Sequence, residues 1–467
     1  MTSRRGIGAL SRSAKDGILG AIRAQPKAEK DGDKPSGPSP TVVTRRAKRG
    51  DRFADLKELK DVKTQQAVAD LIGVQNPFFR MHDGCAGATT HIDGRTHINF
   101  ASYNYLGMNG HPEVNAAAKA AIDHYGVSCS ASRLVAGERP IHRELEHRVA
   151  EFYGVDDAIA FVSGHATNVG TIGHLMRAGD LIVYDALAHN SIVVGATLSG
   201  ATRRMFAHND LDALEEILIR QSHAHERVLV AVEGLYSMDG DFPDLARLVK
   251  MRDRYGFWLM VDEAHSLGVL GATGRGIAEE CGVDPKEVDI WMGTLSKTLS
   301  GCGGYIAGSH SLVEYLKFSA PGFVYSVGMP PAVAAAAIAC FDLLKREPER
   351  VAKLRANGER FVSKAKEAGL DVGDATGTAI VPVMVGDSLR AVHLANRLLE
   401  RGVNALPIVH PAVPERSARL RFFITSDHSF EQIDEAVAVT AEEHHGLAKA
   451  GFGIKMAAAL AKATRPT

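Results

Sequence analysis

A mainly parallel α/β sheet sandwiched by helices, with a smaller C-terminal α+β domain, is the fold class this sequence predicts. Three observations predict it. The 467 residues exceed one compact core, so two domains plus tails is the expectation. A content of 45% hydrophobic and 23% charged residues is that of an ordinary globular protein. Between about 155 and 310, the short apolar runs Ala158–Val162, Leu181–Tyr184, Val228–Val232, Trp258–Val261, Ile290–Met292 and Tyr305–Ala307 alternate with helical stretches such as Leu211–Ile219 and Leu245–Arg254. Strands that are apolar on both faces and alternate with helices belong to a parallel sheet covered on both sides.

In chain order, residues 1–50 read as a basic extension, with 12 Lys/Arg against 4 Asp/Glu. Gly32–Pro40 is a linker by composition. Before it, Ile7, Leu10, Ala14, Ile18 and Ile22 recur at helical spacing among arginines and lysines. Two readings stand: a solvated tail, or a basic amphipathic helix suited to a membrane surface or an acyl carrier protein. No continuous apolar run follows the arginines, which disfavours a cleavable signal. Residues 51–95 form a helical segment, carried by Leu56, Leu59, Val62, Val68, Leu71 and Ile72. The large domain is assigned to 96–335, the small domain to 336–450 and a tail to 451–467. Within the small domain, Ile380–Val385 and Leu420–Ile424 read as strands, with helices near 388–402 and 429–447.

Composition excludes several classes. A net charge of -1 gives no overall attraction to nucleic acid. Five scattered cysteines without a CxxC pair argue against a disulfide framework or zinc site and fit a reducing cytoplasm. Pro331–Cys340 is too short to span a bilayer and reads as a core helix. His223/His225 and His444-His445 lack partners at ligand spacing. Gly271-Ala272-Thr273-Gly274-Arg275-Gly276 lacks the lysine of a phosphate loop and reads as a tight turn. The same missing loop argues against a nucleotide-driven helicase or ATPase, although Asp262-Glu263-Ala264-His265 mimics a magnesium-binding strand end.

In an open parallel sheet, ligands bind beyond the carboxyl ends of the strands. Three polar clusters fall there: Asp262–Ser266 after Trp258–Val261, Glu233–Asp241 after Val230–Val232, and Gly293–Thr298 after Ile290–Met292. They bring an acid, an imidazole, hydroxyls and a lysine to one rim. That set suits a pyridine cofactor: an aspartate keeps the ring nitrogen protonated, and a lysine of depressed pKa forms a covalent link.

At these residues the chain resembles the α-oxoamine synthases, pyridoxal-phosphate enzymes of fold type I that include serine palmitoyltransferase and 8-amino-7-oxononanoate synthase. The matches run from Asn99 to Ile424. They include Asn104-Tyr105-Leu106-Gly107, Ser132-Arg133-Leu134 with His142 and Glu144, Ser163–Asn168, His189-Asn190-Ser191, the three strand-end clusters and Met329-Pro330-Pro331. The resemblance implies a pyridoxal 5'-phosphate cofactor held by Lys297 as a Schiff base. Lys297 then serves as the base at the amino acid Cα. It further implies that Asp262 pairs with the ring nitrogen, His265 and Ser237 bond the ring hydroxyl, and His189 stacks on the ring. Gly164, His165, Thr294 and Ser296 grip the phosphate, with Ser326 added from a partner subunit, so a homodimer with shared sites is implied. Asn104 and Arg421 fall to the amino acid, Arg421 at its carboxylate.

The implied reaction is a decarboxylative condensation of a small amino acid with an acyl thioester; an aminotransferase is the alternative on the same cofactor. Departures from the family pattern lie at His165, often aromatic, at His410, often arginine, and at Glu138, often Thr or Tyr. The basic extension and the small Val327 and Gly328 tip the expectation toward a long acyl chain, as in serine palmitoyltransferase, with 8-amino-7-oxononanoate synthase as the alternative. The expected location is cytoplasmic, peripheral at the membrane if the extension binds there.

Overall fold

The computed structural model describes residues 51, 53–71, 74–414 and 416–449. The basic extension at 1–50, with its linker and amphipathic spacing, and the tail at 451–467 lie outside them. Contacts divide the chain into Met1–Lys63 and Thr64–Thr467. In the first unit a turn at Phe53–Asp55 leads into a helix that begins at Lys57, with Lys60 bonded to Asp55 at 3.1 Å.

In the second unit the strands are β1 (Thr89–Ile92), β2 (Arg95–Asn99), β3 (Asp157–Phe161), β4 (Leu181–Asp185), β5 (Thr202–Phe206), β6 (Val228–Glu233), β7 (Trp258–Asp262), β8 (Ile290–Thr294), β9 (Gly304–Gly308), β10 (Ile380–Gly386), β11 (Val403–Asn404), β12 (Leu406–Ile408) and β13 (Ala418–Phe423). β3 to β9 form a seven-stranded sheet in the order β3-β9-β8-β7-β6-β4-β5, with only β9 antiparallel to its neighbours. This is the mainly parallel α/β fold expected. Side chains alternate between its faces, as strand geometry dictates. Ala158, Val183, Val230, Leu259 and Trp291 enter one apolar core, and Ile159, Ile182, Leu229, Met260 and Ile290 the other.

The six apolar runs became β3, β4, β6, β7, β8 and β9. β5 was not read from the sequence: in Thr-Arg-Arg-Met-Phe only Phe206 is buried, because an edge strand keeps one flank in solvent. β1, β2, β11 and β12 were missed for a similar reason, being short and partly polar.

The helices start where short polar side chains cap free amides. Ser163 accepts from Ala166 N at the head of Gly164–Leu175, and Asp210 and Asp244 cap the helices Leu211–Gln221 and Leu245–Tyr255. Pro331–Arg346 is a buried helix, as expected of that alanine-rich run, and among the described residues no helix is long and apolar enough to cross a membrane. The Gly271–Gly276 segment is a turn whose Gly271, Thr273 and Arg275 amides are taken by Glu279 and Glu280, leaving it no phosphate-binding face. Toward the C-terminus, β10, β13 and β12 form an antiparallel sheet beside the helices Glu349–Glu367, Ser388–Glu400 and Phe430–Lys449. Its Val381, Val383, Leu420 and Phe422 join the first core, so the apolar interior is continuous into this layer.

Candidate active site

The carboxyl ends of β6, β7 and β8 converge on a cavity of about 300 Å³, roofed by the start of the Gly164–Leu175 helix. Its walls include Gly164, His165, Asn168, His189, Glu233, Asp262, His265, Thr294, Ser296 and Lys297. Eight of the residues read from the sequence thus meet in one place. A larger cleft of about 490 Å³ opens at the opposite, amino ends of β7 and β8, by Trp258 and Asp289, and holds none of them.

At the anion-binding end, the amides of a helix's first turn face outward without partners in the helix. Gly164 lies so close to β8 that a Cβ there would sit 2.6 Å from Thr294 Oγ1. Thr294 Oγ1 in turn accepts from Ser296 N at 3.2 Å, bending the chain so that both hydroxyls border the cavity. This is a cradle of backbone amides and hydroxyls that could hold a phosphate.

Asp262, 3% exposed, anchors a relay that the sequence reading missed. Its Oδ2 accepts from Asn168 Nδ2 at 2.7 Å, and its Oδ1 from Ala264 N at 2.9 Å. Asn168 Nδ2 also donates to Ser191 Oγ at 2.9 Å, and Ser191 Oγ lies 2.7 Å from His189 Nδ1. Since a carboxylate only accepts, the amide orientation is fixed; Ser191 N donates to His189 Nδ1 at 3.3 Å, which makes Nδ1 the acceptor and Ser191 Oγ a donor to it. His189 is therefore neutral with its proton on Nε2. Burial also holds its pKa below the usual value, against the pull of Asp262.

Lys297 is half-buried in the turn after β8. Burial pushes its amine down to about 8, against the opposing charges of Asp262 and Glu233, with Arg421 lowering it further. Its Nζ lies over the ring of Tyr103, 5.7 Å from the centroid, a contact not foreseen from the sequence. Glu233, paired in register with Asp262, is buried with Oε1 lacking a partner, and burial followed by the charge of Asp262 raises its pKa. His265 Nδ1 is 2.7 Å from the buried hydroxyl of Tyr105, and burial, then Lys297, holds its pKa well below the usual value.

The remaining sequence-read residues sit elsewhere. Arg421, on β13, donates from Nη1 to Ser237 O at 2.9 Å and packs over Phe423, 4.6 Å from the ring centroid. Among the described residues it has no acid partner, and its buried Nε is unpartnered. Ser237 is 5% exposed beside it, next to the cavity rather than in its wall. Asn104 lines a second cavity, of about 390 Å³, whose wall also includes Ser296 and Lys297. Its side chain is bound to Ala86 O, Asn109 O and Asn109 N, so in this structure it fastens a loop. Ser326 and Val327 border a separate small void with Arg133. Of the departures, Glu138 forms a two-pronged pair with Arg133, with Nη2–Oε1 at 2.8 Å. His165 packs edge-on to His189 at 6.3 Å, and His410 is exposed after β12. No group of His, Cys, Asp or Glu among the described residues could hold a metal.

A buried aspartate, a lysine of depressed pKa, a neutral imidazole and an anion cradle closed by Gly164 fit pyridoxal 5'-phosphate in charge and in the chemistry of the donors. Comparison with known proteins agrees. Residues 95–439 match the family model for aminotransferase class I and II. The chain is 40% identical over 351 residues to 8-amino-7-oxononanoate synthase of Symbiobacterium thermophilum, covering 75% of this chain and 89% of that one. It is also 40% identical over 345 residues to the 4-hydroxy-2,2'-bipyrrole-5-methanol synthase PigH of a Serratia species, covering 74% of this chain and 52% of that one. Among solved structures, Sphingomonas wittichii serine palmitoyltransferase superposes with a TM-score of 0.80 at 32% identity, covering 85% of this chain and 99% of that one. The chain belongs to the aminotransferase class I and II family and has its pyridoxal-phosphate fold. Within that family it is an α-oxoamine synthase, a pyridoxal-phosphate-dependent acyltransferase.

Proposed function

We propose that this chain condenses a small L-amino acid, alanine foremost, with an acyl thioester in the manner of 8-amino-7-oxononanoate synthase. The products are an α-aminoketone, carbon dioxide and the free thiol. The observation that carries the proposal is that Ser296 and Lys297 wall two cavities at once. An aminotransferase needs one chamber used in turn by two similar substrates; an amine standing between two chambers suits two dissimilar ones. The cofactor, when bound, supplies an electron sink for charge developing at the amino acid Cα. Arg421 takes the carboxylate with a guanidinium whose Nε is buried and that no acid among the described residues pairs with. Lys297, neutral in a useful fraction near its pKa of about 8, removes the Cα proton. His189 and Asp262 stay fixed by their relay while this happens.

The second cavity also bears on the acyl group. Its walls include His82, Thr90, Asn99, Ser102, Tyr103 and Asn104, and no Leu, Ile, Val, Met or Phe. A long alkyl chain gains about 0.8 kcal/mol per methylene only when it leaves water for an apolar surface. A short acyl group, or one bearing hydrogen-bonding atoms, suits this lining better. That turns the preference away from the long chain expected from the sequence, in line with the names of the sequence relatives.

A second reading, serine with a long-chain thioester, is favoured by the superposition on serine palmitoyltransferase, whose TM-score of 0.80 exceeds the 0.65 of a Francisella tularensis 8-amino-7-oxononanoate synthase. Serine, alanine and glycine assayed against acetyl, dicarboxylic and palmitoyl thioesters, with thiol release and product mass as readouts, separate the two. Turnover confined to palmitoyl donors with serine overturns the first reading. With either reading go a homodimer that shares its sites and a carrier-protein or membrane role for residues 1–50. Deletion of residues 1–48 with unchanged turnover on carrier-bound and vesicle-presented donors rejects that role.

A further inference from the structure

One histidine outside the cavity joins the two arms of the site. His208 follows β5 and stands between two carboxylates, with Nδ1 2.9 Å from Asp185 Oδ1 and Nε2 2.9 Å from Asp241 Oδ2. A neutral imidazole has one N–H and one lone pair, so it can satisfy only one of these acceptors and turns its lone pair on the other. Only the doubly protonated ring fits both. Asn209 reinforces the joint, its backbone N donating to Asp185 Oδ2 at 2.9 Å and its Nδ2 to Asp241 Oδ2 at 2.7 Å. The ring of Tyr236 packs perpendicular to the imidazole at 4.5 Å.

The two acids belong to different parts of the site. Asp185 closes β4, and its carbonyl accepts from Ala188 N at 3.0 Å, so it sets the approach to His189. Asp241 ends the loop that follows β6, where its carbonyl accepts from Tyr236 N at 2.8 Å. That loop presents Ser237 O to Arg421 and Met238 O to Arg419, which also pairs with Asp239. Gly240 O accepts from Thr376 Oγ1 at 2.9 Å, tying the loop to the segment before β10.

We propose that His208 is a permanently charged positioning residue that pins the Glu233–Asp241 loop to β4 and so holds Arg421 in place for the amino acid carboxylate. The proposal rests on the reading of Arg421 given above. Asp185, Asp241 and the phenol of Tyr236 are the titratable groups facing the ring, and the two acids push its pKa up to about 10 against its burial. The charge therefore persists across the working pH range.

The test uses the holoenzyme and the variants H208Q, H208Q/D241N and R421A. A glutamine can donate to Asp185 but turns its carbonyl toward Asp241; an asparagine at 241 supplies the missing donor. In H208Q the KM for the amino acid rises about tenfold, while the KM for the acyl thioester stays within about twofold. H208Q/D241N recovers most of that loss. In the wild type the amino acid KM shows no break near pH 6.5, where an ordinary histidine would titrate; any bend comes near 8, where the Lys297 amine titrates. An unchanged amino acid KM in H208Q, a loss confined to kcat and thermal stability, a double variant no better than the single, or a KM that breaks near pH 6.5 overturns the proposal. If R421A leaves the amino acid KM unchanged, the underlying reading of Arg421 fails instead, whatever H208Q does.

Discussion

At the scale of single residues, the proposed chemistry turns on the proton of Lys297. Because burial lowers its pKa to about 8, the reactive amine is in short supply at pH 6 and reaches its full amount above pH 9. The rate at which cofactor-free protein captures the vitamer aldehyde, followed by borohydride trapping, should climb with pH and level off past about 8. Lys297→Ala should trap nothing and lose about 10²–10⁴-fold in turnover, the usual weight of a positioned base. Gly164→Ala places a methyl against Thr294 Oγ1, 2.6 Å from the new carbon, and should weaken cofactor binding about tenfold in a direct titration while the unfolding midpoint barely moves. Lys297, Asp262 and His265 were legible in the sequence because Asp262 closes its strand and the other two follow theirs within three residues, and strand ends are where such sheets place ligands. Asn168 and Tyr105 were not, since their meaning lies in contacts 94 and 160 residues away, with Asp262 and His265.

At the scale of elements, the Glu233–Asp241 loop is where two sheets meet, and it carries a tight packing constraint. Gly240 has φ +71°, and a Cβ on it would lie 2.1 Å from Ile380 O. Gly240→Ala combines left-handed strain with that collision and should cost about 1–3 kcal/mol in urea unfolding, raising the amino acid KM as Ser237 O moves from Arg421. The His208 joint adds a pH signature. A histidine raised from its unfolded value of about 6.5 stabilises the fold fully below that value and loses the contribution as pH climbs through about 10. Between pH 7 and 10.5 the urea midpoint should fall further in the wild type than in H208Q. Strands with two buried faces could be read as apolar runs, whereas β5 could not, because Arg203, Arg204 and Met205 face solvent at the sheet's rim.

At the scale of the whole molecule, Ser326 stands apart from Lys297 within one chain, bordering the void beside Arg133. A shared-site homodimer makes a sharp prediction for mixed subunits. A heterodimer of one Lys297→Ala chain and one Ser326→Arg chain gathers both lesions in one site and leaves the other intact, so activity should return toward half that of the wild-type dimer. If Ser326 served its own chain, both sites would carry a lesion and mixing would restore nothing. The extension at 1–50 could be read only as composition, since charge and spacing alone do not say what a segment rests on. The amine common to two chambers has one practical consequence. Any molecule long enough to reach from one chamber into the other must pass Lys297, so a ligand carrying a mild electrophile at mid-span should be caught there, whereas either half alone would be released on dialysis.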